Sequence, residues 1–275
     1  MSGPRILDAH VHLWRIGGPG QSWPGPDLPR LHRDFMPADW RAAIAGLDVV
    51  GGILVQSQPD DRDTDWLLSI DDPLILGVVG WADLAAPDAP QRIAALAANP
   101  RLKGLRPMLQ GIADTDWLLA PALEPAIAAM IAHGLRFDAL IQPRHLSMLH
   151  AFARRWPELA IVIDHGAKPD AAAGTLDPWR DRIASLATLT NVWCKLSGLR
   201  TEQAPGQPAA DLAPYAAHLL ACFGDRLMWG SDWPVLVDTG DSYRDWVEAT
   251  IDLVGRIDID RLFSGAAAAF YDVTL

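Results

Sequence analysis

The stretch ILDAHVHL, residues 6–13, decides how the rest of the sequence is interpreted, because it combines an apolar strand pattern with two closely spaced histidines. Side chains alternate between the two faces of a strand, so His10 and His12 point the same way. Two imidazoles on the inner face at the carboxyl end of a strand are a common arrangement for binding a divalent metal. A hydrogen-bonded pair without metal fits the same spacing, and this stretch alone leaves both interpretations open.

Seven further apolar stretches follow, and amphipathic or Ala-rich segments separate them, as expected of repeated βα units around a parallel sheet. Eight units in 275 residues favour a closed barrel over an open doubly wound sheet, which usually has fewer strands and a Gly-rich phosphate turn. We therefore predict an α/β protein in which residues 1–275 form one (β/α)8 TIM-barrel domain. The predicted strands are residues 6–13, 51–56, 74–81, 103–109, 135–142, 159–165, 191–198 and 226–233, and the clearest helical segments are residues 37–47, 89–100, 121–134, 177–189 and 212–224.

Composition excludes several classes of protein. The net charge of -11 and the absence of a basic stretch disfavour nucleic acid as a partner. No apolar run reaches the ~20 residues of a membrane span, and the N-terminus lacks the charged and apolar segments of a secretion signal. Cys194 and Cys222 are too few for a disulfide framework. We therefore expect a cytoplasmic protein that binds neither membrane nor nucleic acid.

Two further chemically active residues stand at predicted strand ends. His165 closes the sixth predicted strand, LAIVIDH, and Asp232 follows GS near the end of the eighth. Barrel enzymes place their chemistry at the carboxyl ends of the strands, where residues distant in sequence meet. We therefore predict that His165 and Asp232 lie at one rim with His10 and His12.

Strand parity also identifies cationic candidates. If Leu105 and Leu196 pack against the helices, then Arg106 and Lys195 point into the barrel mouth, where they could contact a substrate carbonyl. The alternative for each is a salt bridge that holds the barrel interior.

Rim loops carry the remaining substrate-binding candidates. The Gly/Pro-rich segment 15–30 follows the first predicted strand, where barrel enzymes place active-site loops. Among the 12 tryptophans, those near the presumed mouth could stack on a sugar face. The candidates from these loops are Trp23, Trp81 and Trp233, together with Lys168, Arg144 and His145.

The sequence resembles the amidohydrolase superfamily and, within it, the branch that contains L-fuconolactonase and related sugar-acid lactonases. The resemblance covers nearly the whole chain, and its most specific motifs are DHGAKP, CKLSGL and GSDWP. It implies that His10, His12, His165 and Asp232 form a mononuclear metal site, with zinc as the expected ion, or its relic, and that Asp232 acts as a general base. A lactonase type of this branch works without metal, so metal-independent action stays open.

Two departures from the branch bear on the chemistry. Pro107 stands where many such sequences have a histidine, which leaves the exact sugar open. Lys103 lies at the beginning of the fourth predicted strand rather than where binuclear members carry a bridging lysine, so a binuclear centre is not expected.

The resemblance and the residues together predict hydrolysis of a small sugar-acid lactone. Asp232 would take a proton from a water held near the three histidines, and Arg106 or Lys195 would stabilise the oxyanion. The alternatives are a decarboxylase of the same superfamily and a non-catalytic sugar-binding barrel. A nucleophilic serine is disfavoured because the sequence contains no G-x-S-x-G motif.

Overall fold

The computed structural model of the protein describes residues 3–18, 20–255 and 258–275. Eight parallel strands follow one another around the sheet in chain order, with helices between them. A parallel bridge between Val11 and Trp233 joins the two ends of the sheet, and the amide of Asp232 donates to the carbonyl of His10 at 2.9 Å. The predicted (β/α)8 barrel is confirmed.

All eight predicted strands are present, although each ends earlier than the apolar pattern suggested. The strands are β1 (Ile6–Val11), β2 (Val49–Val55), β3 (Ile75–Gly80), β4 (Leu102–Leu105), β5 (Arg136–Ala139), β6 (Ile161–Ile163), β7 (Val192–Leu196) and β8 (Leu227–Trp229). The helices are α1 (Pro37–Ala43), α2 (Asp61–Ser69), α3 (Ala89–Ala97), α4 (Glu124–Ala132), α5 (Leu146–Arg155), α6 (Trp179–Ala187), α7 (Ala213–Phe223), α8 (Tyr243–Val254) and α9 (Ala266–Tyr271). None of the described helices has both the length and the apolar character needed to cross a membrane.

The first two strands pair through a bulge that positions the histidines. Asp8 pairs with Gly52 and Val11 with Leu54, so three steps along β1 match two along β2. Leu7 and Ala9 belong to the cluster inside the barrel, and strict alternation would turn His10 towards the helices. The extra residue re-aims the chain, so that His10 also faces inwards, as bulges beside active sites commonly do.

The C-terminal helix closes the end of the barrel opposite the strand carboxyl ends. Ala266, Ala267 and Phe270 of α9 pack into the same interior cluster as Leu7 and Met228. Two side chains at the amino ends of strands reach this region, since Arg136 donates to the carbonyl of Phe270 at 2.7 Å and Lys103 to that of Asp272 at 3.2 Å. The open end of the barrel is therefore the one that carries the predicted site.

Candidate active site

The end of β1 and the segments after β1, β6 and β8 bring three imidazoles and one carboxylate together. His10 Nε2 lies 3.1 Å from His12 Nε2. Asp232 Oδ1 lies 3.3 Å from Nε2 of His12, 3.7 Å from that of His10 and 3.9 Å from that of His165. All four side chains are buried. The four residues predicted to meet at one rim thus form a single cluster.

His165 and Asp232 do not end strands as predicted, because β6 stops at Ile163 and β8 at Trp229. Both residues adopt left-handed backbone, with φ of 54° at His165 and 56° at Asp232. The left-handed conformation continues through Gly166 and Ala167 to Lys168, where φ is 52°. Non-glycine residues adopt this conformation at a cost of about 1–2 kcal/mol each, and such strain clusters at functional sites.

Each imidazole is held through its Nδ1 atom, so that Nε2 faces the cluster. His12 Nδ1 lies 2.8 Å from the carbonyl oxygen of Val55, and His165 Nδ1 lies 2.9 Å from Oγ of Ser197. His10 Nδ1 lies 3.1 Å from Lys195 Nζ and 3.4 Å from Asp164 Oδ1. Partners of this kind fix the orientation of histidines that bind metal in other proteins.

The donor set fits one divalent cation. In tetrahedral zinc sites, ligand atoms about 2.0–2.1 Å from the metal lie roughly 3.3 Å apart. The separations of 3.1 and 3.3 Å that His12 Nε2 makes with His10 and Asp232 match this value, and the other two are a few tenths of an ångström longer. Ligand atoms of His10, His165 and Asp232 lie within 4.8 Å of one another, whereas His12 does not belong to this group of three. His10 fits when its Nδ1 proton is donated to Asp164, which leaves a lone pair on Nε2.

The electrostatic environment of the cluster favours neutral imidazoles and an ionised carboxylate, the forms that bind a metal ion. Burial lowers the pKa of His165 to about 4, against the opposing effect of Asp232 and Asp164. Burial, together with the charge of Lys195, lowers the pKa of His10 well below its ordinary value. Burial opposes charge on Asp232, but the neighbouring imidazoles hold its pKa below the ordinary value. At neutral pH the carboxylate is therefore ionised while His10 and His165 are neutral.

The two predicted cations occupy different depths. Arg106 Nη1 lies 3.4 Å from His10 Nε2 and 3.4 Å from Asp164 Oδ2, and the guanidinium also donates to the carbonyl of Gln56. Arg106 lines the cavity above the cluster. Lys195 is fully buried below His10, and its Nζ donates to Asp138 Oδ2 at 2.6 Å and forms an ion pair with Asp164 Oδ1 at 3.0 Å. Arg106 therefore faces the cavity, whereas Lys195 is not part of its described lining.

A cavity of about 380 Å³ opens above the cluster. His12, His165 and Asp232 form its floor, and the walls carry hydroxyl, amide and apolar groups in addition to two cations. The lining residues beyond the floor are Ser22, Trp23, Ser57, Pro59, Arg106, Met108, Gln110, Leu140, Lys168, Thr201 and Val235. Trp23 and Lys168 are thus the two rim-loop candidates from the sequence that face this cavity.

The other four rim-loop candidates contact the surrounding scaffold. Arg144 donates to Thr115 Oγ1 at 2.9 Å and to the carbonyl of Ile112 at 3.0 Å. The Nδ1 atom of His145 accepts from the amide of Gln142 at 3.0 Å. The ring of Trp233 packs edge-on against that of Phe35, and the amide of Trp81 donates to Thr64 Oγ1 at 2.7 Å. The described lining of the cavity includes none of Trp81, Trp233, Arg144 and His145.

Sequence reasoning missed the acidic partners of Lys195. Asp138 and Asp164 are fully buried, and Tyr271 of α9 donates to Asp138 Oδ2 at 2.6 Å. In β5, Asp138 alternates with Phe137 and Ala139, which pack in the outer core. The parity argument that was applied to Lys195 would therefore have identified Asp138 as an inward-facing carboxylate.

Comparisons with known proteins agree over almost the full length of the chain. The sequence model of the amidohydrolase family matches residues 7–273. An L-fucono-1,5-lactonase of Burkholderia ambifaria is 44% identical over 276 residues, which cover 97% of this chain and 95% of that protein. An L-fucono-1,5-lactonase of Burkholderia multivorans is 32% identical, with 98% of this chain and 96% of that protein covered.

A solved structure resembles the present one closely. The crystal structure of an amidohydrolase from Burkholderia multivorans with bound zinc superposes with a TM-score of 0.89 at 32% identity, and it covers 98% of this chain and 99% of that one. The chain belongs to the amidohydrolase family, and it is a hydrolase.

Proposed function

We propose that this protein hydrolyses a small sugar-acid lactone to the corresponding hydroxy acid. The observation that carries the proposal is the ionised Asp232, whose Oδ1 lies within 3.9 Å of three imidazole Nε2 atoms on the floor of a cavity of about 380 Å³. An ionised carboxylate at the base of a small polar cavity is placed to orient a water molecule and to accept its proton. The two L-fucono-1,5-lactonases described above support this choice of substrate class.

The proposed reaction begins with a water molecule between Asp232 and the lactone carbonyl. Asp232 takes one proton from the water as the oxygen attacks the carbonyl carbon, and Arg106 stabilises the oxyanion that forms. The tetrahedral intermediate collapses with cleavage of the ring C–O bond, and Asp232 returns the proton to the departing alkoxide. The product is the open hydroxy acid, which releases one proton to solvent as its carboxyl group ionises.

We propose that His10, His12, His165 and Asp232 hold one divalent ion, and that zinc is this ion. Three of these residues, His10, His165 and Asp232, have ligand atoms close enough together to hold it, and His12 Nε2 lies 3.1 and 3.3 Å from two of them. The related Burkholderia multivorans structure contains zinc. Such an ion would supply a Lewis acid that lowers the pKa of water towards ~7. The steps assigned to Asp232 and Arg106 use only side chains of this chain, so they also describe metal-independent hydrolysis.

The decarboxylase alternative is less favoured, because the full-length relatives described above are lactone hydrolases. The two reactions differ in their proton balance. Hydrolysis of a lactone at neutral pH releases a proton, whereas decarboxylation of a carboxylate consumes one. A sugar-binding barrel would do neither.

Proton release in weak buffer against a panel of aldonolactones of both ring sizes tests the proposal. We expect release of one proton for each lactone opened, at a rate proportional to protein concentration. The proposed function would be overturned if the folded protein accelerated the opening of none of these lactones above its spontaneous rate.

A further inference from the structure

Lys168 and Glu202 form an ion pair at the wall of the cavity. Lys168 Nζ donates to Glu202 Oε1 at 2.9 Å, and the two side chains are only 20% and 22% exposed. We propose that Glu202 is a specificity-determining residue, which makes the site select lactones whose ring substituents carry no carboxylate. This inference rests on the proposed lactonase function and names the residue that would set its substrate range.

Two loops from adjacent strands build this pair. Lys168 ends the left-handed segment that begins at His165, so the cation and the imidazole belong to one tight turn after β6. Glu202 ends the short turn Leu199–Glu202 that follows β7. Lys168 faces the cavity, while Glu202 stands behind it next to Thr201, a wall residue. The position of the ammonium group in the cavity is therefore fixed by a carboxylate outside the lining.

Both cations in the described lining of the cavity are already paired with carboxylates. Three lining side chains, Arg106, Lys168 and Asp232, carry charge at neutral pH. Arg106 is paired with Asp164, and Lys168 with Glu202. A carboxylate on the substrate would therefore have to compete with an existing anion for either cation, and a buried carboxylate without a free counter-charge is strongly disfavoured.

Two arginines beyond the lining, Arg200 and Arg30, do not supply a free positive charge to this cavity. Arg200 donates to Asp241 Oδ2 at 2.5 Å, and Arg30 donates to the carbonyl of Asp238 at 3.0 Å. Both arginines line a neighbouring cavity, which shares Thr201 with the first one. They lie on the far side of the Thr201 wall.

The remaining walls suit an uncharged, hydroxylated ring. Ser22, Ser57 and Gln110 offer hydroxyl and amide groups for neutral hydrogen bonds. Leu140 and Val235 offer apolar surface for a part of the substrate without polar substituents. Once Lys168 is engaged by Glu202, the other cation of the described lining is Arg106, which is paired with Asp164 and assigned to the oxyanion.

The 1,4-lactones of galactonic and galactaric acid provide a matched pair of probes, because they differ only in a hydroxymethyl group or a carboxylate at C6. The quantity to measure is the ratio of their kcat/KM values. We expect the wild type to favour the neutral lactone by tenfold or more. In Glu202→Gln, the freed Lys168 should shift the ratio towards the carboxylated lactone by about tenfold, the effect of one charge-assisted hydrogen bond.

Two further variants make the test specific. Lys168→Met in the Glu202→Gln background should abolish the shift, since the freed cation is then absent. Glu124→Gln removes the carboxylate of a surface ion pair with Arg155 and should leave the ratio unchanged. If Glu202→Gln does not fold, Glu202→Ala removes the same carboxylate, and the same shift is expected.

An unchanged ratio in a folded Glu202 variant would overturn the role of Glu202, as would a wild type that opens both lactones equally fast. Failure of the proposed function has a different signature. In that case, neither these probes nor the wider aldonolactone panel would be hydrolysed by the wild type at all.

Discussion

Lys195 Nζ lies 3.1 Å from Nδ1 of His10, on the side of the imidazole that faces away from Asp232. The ammonium donates to Asp138, pairs with Asp164 and lies in contact with the ring of His10. Lys195 is fully buried and lies beneath the cavity floor, so it cannot contact the substrate carbonyl. We therefore propose that Lys195 is a positioning residue, which fixes the ring of His10 and compensates two buried carboxylates.

The first prediction concerns this buried network. Lys195→Met leaves Asp138 and Asp164 without their shared cation, and we expect a loss of about 3–5 kcal/mol in the free energy of unfolding. Adding Asp138→Asn should recover at least about 1 kcal/mol, because one of the uncompensated charges is then removed. Urea unfolding of the two single variants and the double variant measures this coupling.

The matched comparison is the Arg41–Asp72 pair, in which the arginine side chain is 46% exposed. The same cycle with Arg41→Met and Asp72→Asn should give a coupling below about 1 kcal/mol. Additive effects of Lys195→Met and Asp138→Asn would contradict the network.

The second prediction concerns Gly198, whose φ is +61° and whose missing side chain leaves room for His165. A Cβ atom at this position would lie 2.4 Å from Nδ1 of His165. Gly198→Ala should therefore displace the imidazole and its hydrogen bond to Ser197, and lower kcat by at least tenfold. Steady-state kinetics on the best lactone measure the loss.

Gly134→Ala is the control for backbone strain. Gly134 has nearly the same φ, +64°, but a Cβ there would meet nothing within 4 Å. Both variants should lose roughly 1 kcal/mol of stability from the left-handed conformation. Only Gly198→Ala should lose activity, and equal rates in the two variants would show that His165 is not held as described.

The third prediction is that Arg106→Met lowers kcat by roughly 10²–10³, the usual effect of removing one oxyanion donor. The fold should tolerate the change, since Asp164 keeps its contact with Lys195 at 3.0 Å. Arg92→Met, which breaks a surface pair with Asp65, serves as the control with unchanged kcat. A rise in KM alone in Arg106→Met would assign the guanidinium to ground-state binding instead.

The fourth prediction concerns pH and Asp63, which holds the loop after β2 by accepting from the amides of Ser57 and Gln58. Burial raises the pKa of Asp63 from 3.8 to about 6. The Asp63 carboxyl therefore stays protonated in the folded state over a pH range in which it has lost its proton in the unfolded chain. The stabilisation linked to this proton is complete below pH 3.8 and disappears as the pH rises through 6.

The side chain introduced by Asp63→Asn cannot ionise. The thermal midpoint of this variant should therefore rise relative to that of the wild type as the pH increases from 4 to 7. The full effect corresponds to about 3 kcal/mol. Thermal unfolding of both proteins at intervals across this range measures the difference. A difference that does not change with pH would contradict the raised pKa.

The sequence predicted the architecture and the central cluster because both depend on short-range patterns. The apolar stretches identified all eight strands, and the barrel then required their carboxyl ends to meet. His10, His12, His165 and Asp232 lie together for this reason. What the pattern could not give is the bulge after Asp8 or the left-handed backbone at His165, since both depend on pairing and packing with other strands.

Parity predicts the face of a strand but not the height of a side chain along the barrel axis. Lys195 does face inwards, yet it lies one layer below the cavity, among Asp138, Asp164 and Tyr271. Position in a rim loop likewise does not determine whether a side chain lines the cavity. Trp81 and Trp233 lie at the rim, but the ring of Trp233 packs against Phe35, and neither residue lines the cavity.

The role of Asp232 as the base is the central claim, and Asp232→Asn tests it most directly. The change preserves size and one acceptor oxygen, so the thermal midpoint should move little, while the lactonase rate should fall by about 10²–10⁴. Both quantities should be measured on one preparation, with and without added zinc. Loss of hydrolysis in the folded variant is the result that we predict, and hydrolysis at the wild-type rate would contradict the mechanism.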